Sequence, residues 1–212
     1  TEIAEINTGR YIGGTGFGSV TAGLIMGGVT NPGGSNTGAT EEWNGSAWSE
    51  KNDLNEGRAS YASSSSSPYT SGFIAGGSPG PSAPGETETW NGTSWTETGD
   101  LNLARDELAG SGVQTAAFAV AGKVKESGGP PTWYESNTHE QWDGSSWTET
   151  TEINTAVSAA SAAGHTSSGL KIGGTAGSVP SGQTKTEFWN GSSWTELNDL
   201  STQRQYLAQG SG

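Results

Sequence analysis

The chemistry open to this chain must come from carboxylates, two histidines and a few arginines, because it contains no cysteine. His139 and His165 stand 26 residues apart, each outside any His-x-x-His pattern, and both are expected in loops or at the surface. Acidic residues recur in step at Glu50, Glu97, Glu149 and Glu196, and again at Asp53, Asp100, Glu152 and Asp199. A catalytic pair is needed once, so carboxylates repeated at a fixed interval read as structural or solvating groups. Calcium asks for oxygens clustered as in D-x-[DN]-x-[DN]-G, and no such run occurs. Three glycosylation-like triplets begin at Asn44, Asn91 and Asn190, but the fourth copy has Asp143-Gly144, which keeps a turn and loses the acceptor. The Gly13–Gly18 run imitates a phosphate loop without the Lys-Ser/Thr that would complete one. No catalytic residue, metal site or cofactor is expected.

What positions these residues is a tandem repeat. Four segments align without gaps: EEWNGSAWSE ending at Glu50, ETWNGTSWTE ending at Glu97, EQWDGSSWTE ending at Glu149 and EFWNGSSWTE ending at Glu196. Their paired tryptophans are Trp43/Trp48, Trp90/Trp95, Trp142/Trp147 and Trp189/Trp194, spaced by 47, 52 and 47 residues. Upstream of each pair an apolar run closes on small residues: Gly27-Gly28, Gly76-Gly77, Ala121-Gly122 and Gly173-Gly174. Six residues after the second Trp comes Leu54, Leu101, Ile153 or Leu200; ten after it comes Arg58, Arg105 or Arg204, with Val157 as the exception. Asn-Gly between strand ends predicts a two-residue hairpin turn. The small-residue stretches Tyr61–Ser67 and Ser158–Gly164 suit innermost strands near a crowded axis. The large indoles belong between neighbouring sheets.

This order resembles the kelch motif: an Arg-led strand, a strand ending in Gly-Gly, an aromatic, then Trp. The W-N-G-x-x-W variety resembles repeat proteins of marine bacteriophages. The resemblance implies an all-β, kelch-type β-propeller of about four blades of four antiparallel strands, or else an open arc of a larger propeller. The whole of 1–212 reads as one propeller domain, with repeats at about 10–57, 58–104, 105–156 and 157–203 and a partial fifth at 204–212. Residues 1–18 and 195–212 would compete for one place in a closed ring of four, so self-association through duplicated terminal strands is a further expectation. Among kelch-type propellers galactose oxidase is the enzymatic precedent, and its Cys–Tyr cross-link and His ligands are not available here. Sialidase-like chemistry would need arginines clustered around a tyrosine and a carboxylate, whereas Arg10, Arg58, Arg105 and Arg204 follow the repeat and are expected to pair with repeat carboxylates.

Composition narrows the partners. Only 30% of residues are hydrophobic, yet nine are Trp, which argues for folded thin sheets rather than disorder. A net charge of −13 repels phosphate backbones and anionic membranes, so nucleic acid is excluded and no membrane insertion is expected. The segments after the Gly-Gly strands differ between repeats, and loops on a rigid scaffold commonly carry recognition. The third is longest and holds Trp133 and Tyr134, the candidate contact residues for a glycan or protein surface. The expectation from sequence is thus a non-catalytic binding module, extracellular or virion-borne, of a phage virion or tail-fibre-like protein. A secreted bacterial lectin-like module, or an accessory domain of a larger enzyme, is the alternative.

Overall fold

The computed structural model describes residues 4–12, 15–30, 34–65, 67–78, 85–126, 132–177 and 182–207. The sequence-predicted contact loops fall partly outside these residues, as do the end of the 204–212 partial repeat and Gly13-Gly14. In chain order, a short strand β1 (Arg10–Ile12) precedes β2 (Thr15–Ser19) and β3 (Ala22–Met26). These are followed by β4 (Val29–Thr30), β5 (Thr40–Trp43) and β6 (Trp48–Glu50). The second repeat gives β7 (Ala62–Ser63), β8 (Gly72–Ala75), β9 (Thr87–Trp90) and β10 (Trp95–Glu97). The third gives β11 (Ala109–Val113), β12 (Ala116–Val120), β13 (Lys123–Lys125), β14 (Trp133–Glu135), β15 (His139–Trp142) and β16 (Trp147–Glu149). The fourth gives β17 (Ser161–His165), β18 (Ser168–Ile172), β19 (Thr186–Trp189) and β20 (Trp194–Glu196).

These strands make an all-β, propeller-like fold of six antiparallel sheets with two to four strands each. Four sheets are four-stranded, one per repeat, in the orders β2-β3-β5-β6, β7-β8-β9-β10, β11-β12-β15-β16 and β17-β18-β19-β20. Two small ribbons, β1-β4 and β13-β14, accompany the first and third. Each four-stranded sheet is a simple meander, which short connections between neighbouring strands allow.

The Trp-Asn-Gly segment forms the hairpin between the third and fourth strands, but not as a two-residue turn. Trp43 pairs directly with Trp48 across the ladder, leaving the four residues 44–47 as the loop. Asn44 Oδ1 accepts hydrogen bonds from Ser46 N and Ala47 N at 2.9 Å each, and Gly45 takes φ 94°. Asp143 does the same work with Ser145 N and Ser146 N at 2.8 Å each. A side-chain cap, rather than a primed turn, therefore sets the loop, and either Asn or Asp supplies it.

Close sheet-to-sheet approach explains the other conserved letters. Both residues after the second strand lie at positive φ in every repeat, at 58° and 96° for Gly27 and Gly28, and even Ala121 adopts 64°. The second member then donates its N–H to the next repeat: Gly28 to Arg58 O at 2.8 Å, Gly77 to Arg105 O, Gly122 to Val157 O and Gly174 to Arg204 O, each at 2.9 Å. Gly72 is needed because a Cβ there would sit 2.2 Å from the Phe17 ring of the preceding sheet.

The core is divided between the sheets. One apolar cluster joins Leu24, Met26 and Leu54 to Ile74, Trp90 and Trp95; a second joins Phe73, Ala75 and Leu101 to Trp142 and Trp147; a third joins Phe118, Val120 and Ile153 to Trp189 and Trp194. Each spans two successive sheets, and among the described residues none joins the fourth to the first. Within a repeat the two indoles tilt at about 40° with centroids 5.3–5.5 Å apart. Truncating one of the buried ones to Ala would cost about 3–5 kcal/mol. Along the inner edge, β7, β11 and β17 run side by side. Their small residues are bridged by Ser65–Ser111 at 2.7 Å and by Ser111 Oγ to Gly164 O at 2.8 Å.

Candidate functional site

The arginines are the first candidates to resolve. Arg10, Arg58 and Arg105 reach Glu41, Glu88 and Glu140 at 2.6, 3.1 and 3.0 Å, and these pairs are almost wholly buried. The second oxygen of each of these glutamates accepts from the backbone N–H of Asn7, Asn55 or Asn102, at 2.6–2.8 Å. The unit is an Asn-x-x-Arg loop clamped onto the Glu two residues before the first Trp. Burial draws the Arg105 guanidinium down to about 10, still fully charged at neutral pH. These carboxylates are not the ones that drew attention in the sequence; the signal that marks them is a Glu at the same offset before Trp in all four repeats. In the fourth repeat Val157 occupies the Arg position, and the cation comes instead from Lys171 on β18, 2.9 Å from Glu187, with both side chains fully buried. Four buried ion pairs thus hold loops onto sheets and face no solvent.

His139 departs from the sequence expectation of a loop or surface histidine. It lies on β15 with 0% exposure, where the other repeats have Thr40, Thr87 and Thr186. At that position Thr40 Oγ1 accepts from Trp95 Nε1 at 3.0 Å and Thr87 Oγ1 from Trp147 Nε1 at 2.8 Å. His139 Nδ1 takes the same role toward Trp194 Nε1 at 3.3 Å. Burial lowers its imidazole to about 4, so it is neutral and serves as a fixed acceptor. His165 is exposed at the end of β17.

A different group has the makings of a chemical site. The segments leading into the inner strands carry a non-Gly residue at positive φ in three repeats and after Arg204: Ser60, Glu107, Ala159 and Tyr206. Ala159 N donates to Glu107 O and Tyr206 N to Ala159 O, both at 2.9 Å, which brings Tyr206 and Glu107 together across the intervening repeat. Tyr206 Oη lies 3.4 Å from Glu107 Oε1, and Lys123 Nζ lies 2.9 Å from Glu107 Oε2. Asp106, next in chain, is bridged through its backbone to Lys123, and its Oδ1 is buried with no hydrogen-bond partner. Desolvation, then the charge of Glu107, raise the Asp106 carboxyl to about 6. Burial and Glu107 also push the Tyr206 phenol up. Burial opposes the Lys123 ammonium, but its bond to Glu107 holds it above its ordinary value. The result is a half-buried carboxyl near 6, a carboxylate–ammonium pair and an exposed phenol in one place. None of the four was singled out by the repeat, because only their sequence-distant juxtaposition makes them a group.

The contact residues predicted from the third loop adjoin this group. Lys123 pairs with Glu135, Val124 with Tyr134 and Lys125 with Trp133 in the β13-β14 ribbon. Trp133 and Tyr134 are 38% and 45% exposed, large values for aromatics. Side chains alternate along a strand, so Trp133 shares the face of Lys123 and Lys125 while Tyr134 takes the opposite face beside Val124. The two aromatics therefore do not form one platform. Pro130 and Pro131 of the same loop lie outside the described residues. Among the described residues no group of three or more His, Asp or Glu could hold a metal ion.

No family model matches the chain, and no curated protein matches it. A solved structure titled "Structure of YjhT" superimposes with a TM-score of 0.76 at 11% identity, covering 93% of this chain and 71% of that one. The likeness is one of fold. It corrects the assignment to kelch-type and phage-derived repeat proteins. A sheet architecture shared at this identity rests on strand alternation and turn positions, which many sequences satisfy without a common signature. It also withdraws the virion or tail-fibre reading, since the match is to YjhT and not to a virion protein. The expectation of a chain without catalysis falls with it: the fold that covers nearly the whole chain is that of YjhT, and the Asp106–Glu107–Lys123–Tyr206 group has the equipment of acid–base chemistry.

Proposed function

We propose that the chain is a carbohydrate-directed β-propeller module working outside the cell, with Asp106, Glu107, Lys123, Tyr206 and Trp133 as its site. One observation carries the reading: a carboxyl raised to about 6 stands beside a carboxylate–ammonium pair and a phenol, next to an exposed indole on the same ribbon face. A carboxyl with that affinity for its proton can donate it near neutral pH, the task of a general acid at a glycosidic or hemiacetal oxygen. The ion pair and phenol supply directional hydrogen bonds to hydroxyls, and the indole offers a flat apolar face to a sugar ring. Tyr134, on the other ribbon face, extends the contact to a neighbouring sugar or a protein surface.

In this reading the four-stranded sheets are four blades in an open arc, one domain whose repeats follow 10–57, 58–104, 105–156 and 157–203, with 204–207 leading a fifth. Three inter-sheet clusters for four sheets favour the arc over a closed ring of four. Trp43, Trp48, Trp90, Trp95, Trp142, Trp147, Trp189 and Trp194, with the Gly-Gly pairs, are structural. No described helix is long and apolar enough to cross a membrane.

The test is a glycan array probed with the intact chain, Trp133→Ala and Asp106→Asn, followed by turnover of the bound sugars. Binding lost in Trp133→Ala, with turnover lost and binding kept in Asp106→Asn, is the expected pattern. A blank array together with no turnover on any tested glycoside would remove the carbohydrate reading.

A further inference from the structure

The blade-to-blade interface is built three times inside the chain, always from the same two halves. One half comes from the earlier sheet: the positions of Leu24 and Met26, of Leu54, and of the Thr40 hydroxyl. The other half comes from the later sheet: the positions of Ile74, Trp90 and Trp95. At the three internal seams every one of these positions is buried, and each second indole finds its acceptor: Trp95 on Thr40, Trp147 on Thr87, Trp194 on His139.

At the two ends of the array the same halves stand without their complements. On the fourth sheet Leu170, Ile172 and Leu200 occupy the positions of Leu24, Met26 and Leu54 yet are only half-buried. Thr186 Oγ1, in the position of Thr40, is buried and accepts from nothing. On the first sheet Ile25 and Trp48 are half-buried where Ile74 and Trp95 are buried, and Trp48 is the one second indole whose Nε1 makes no hydrogen bond. The first sheet lacks an acceptor and the fourth lacks a donor.

We infer that these faces bind one another between molecules: the first sheet of one copy docks on the fourth sheet of another, head to tail, with Trp48 Nε1 donating to Thr186 Oγ1. The occupant is a second copy because it alone presents both missing halves, in the register the chain already uses three times. The contact is heterologous, so each copy keeps one free face for the next and association runs beyond two unless a ring closes. Residues Arg204–Leu207 hold, on the fourth sheet, the place that the Asn7–Arg10 segment of an incoming copy would take, since both lead into a first strand. One of the two segments is displaced on docking. This inference is independent of the carbohydrate reading.

Mass measured by sedimentation equilibrium from low to high micromolar concentration tests it. The intact chain is expected to grow in mass with concentration. Ile25→Glu, which spoils only the head, and Leu170→Glu, which spoils only the tail, should each stay single, as checked alongside an unchanged far-ultraviolet spectrum. Mixed, they should form one-to-one pairs through the two intact faces. Thr186→Val, which keeps shape and removes the acceptor, should weaken association about three- to ten-fold. Deletion of 204–212 should tighten it by vacating the contested place. A single mass for the intact chain at every concentration, a mixture that fails to pair, or a deletion that weakens association would each overturn the inference.

Discussion

The third and fourth sheets solve the same electrostatic problem with different residues. In the third, Arg105 leads the repeat and reaches Glu140 at 3.0 Å; in the fourth, Val157 leads and Lys171, on the neighbouring strand, lies 2.9 Å from Glu187. Both glutamates are fully buried, and both give their second oxygen to an Asn side chain and backbone, Asn102 and Asn154. What is kept is therefore the neutralised carboxylate, while the position of the cation is free to move. The guanidinium also ties Thr138 O at 3.0 Å, a bond for which Lys171 has no counterpart. A fork of donors reaches backbone and carboxylate together, whereas an ammonium acts as a point charge.

The sharpest way to break this comparison is to remove one cation at a time. Arg105→Met and Lys171→Ile each leave a buried carboxylate alone and should cost about 3–5 kcal/mol by urea unfolding. Val157→Arg combined with Lys171→Ile rebuilds the pattern of the first two repeats and should recover most of that loss. A double variant no more stable than Lys171→Ile alone would mean that the two cation positions are not equivalent.

The next effect separates the seams rather than the ion pairs. His139 is held neutral, with its folded value near 4 against about 6.5 unfolded. Its contribution is present above pH 6.5 and drains away as pH falls toward 4, by roughly 2–4 kcal/mol in all. His139→Thr, which copies Thr40 and Thr87, should flatten that part of the stability–pH curve whatever it does to stability at neutral pH. Asp106 works in the opposite sense. Its raised folded value makes its contribution largest at low pH and lost as pH rises through about 6. Asp106→Asn should therefore steepen the remaining fall in stability on acidification; an unchanged slope would argue against a raised carboxyl there. The smallest effect belongs to the hairpin loops. Asp143→Asn replaces one capping oxygen with another and should leave the thermal melting curve superimposable on that of the intact chain.

Much of the architecture was legible in the sequence for a physical reason: one sheet per repeat is enforced by features visible in a single copy, namely Gly-Gly after an apolar run and twin indoles around a polar loop. The turn was misread because Asn-Gly signals a tight bend, while the Trp43–Trp48 pairing places four residues in the loop and a side-chain cap closes it. His139 looked incidental because its role depends on Trp194, 55 residues away. The Asp106–Glu107–Lys123–Tyr206 group was invisible for the same reason on a larger scale, with Glu107 and Tyr206 99 residues apart in sequence. Trp133 stood out because it is the one Trp outside the repeat, yet only the strand register separates it from Tyr134.

The hydrogen bonds from Gly28, Gly77, Gly122 and Gly174 to the lead residue of the following repeat have a consequence for how the polypeptide can be cut. The units that close on themselves are offset from the units that recur, since the last donor of each sheet is satisfied only by its successor. Severing the backbone just before Arg58 or Arg105 would leave one fragment lacking its closing acceptor and the other carrying it unused. Nicks in the loops between β5 and β6, or between β9 and β10, sever no such bond and should be the better places to open the molecule or to insert a foreign domain.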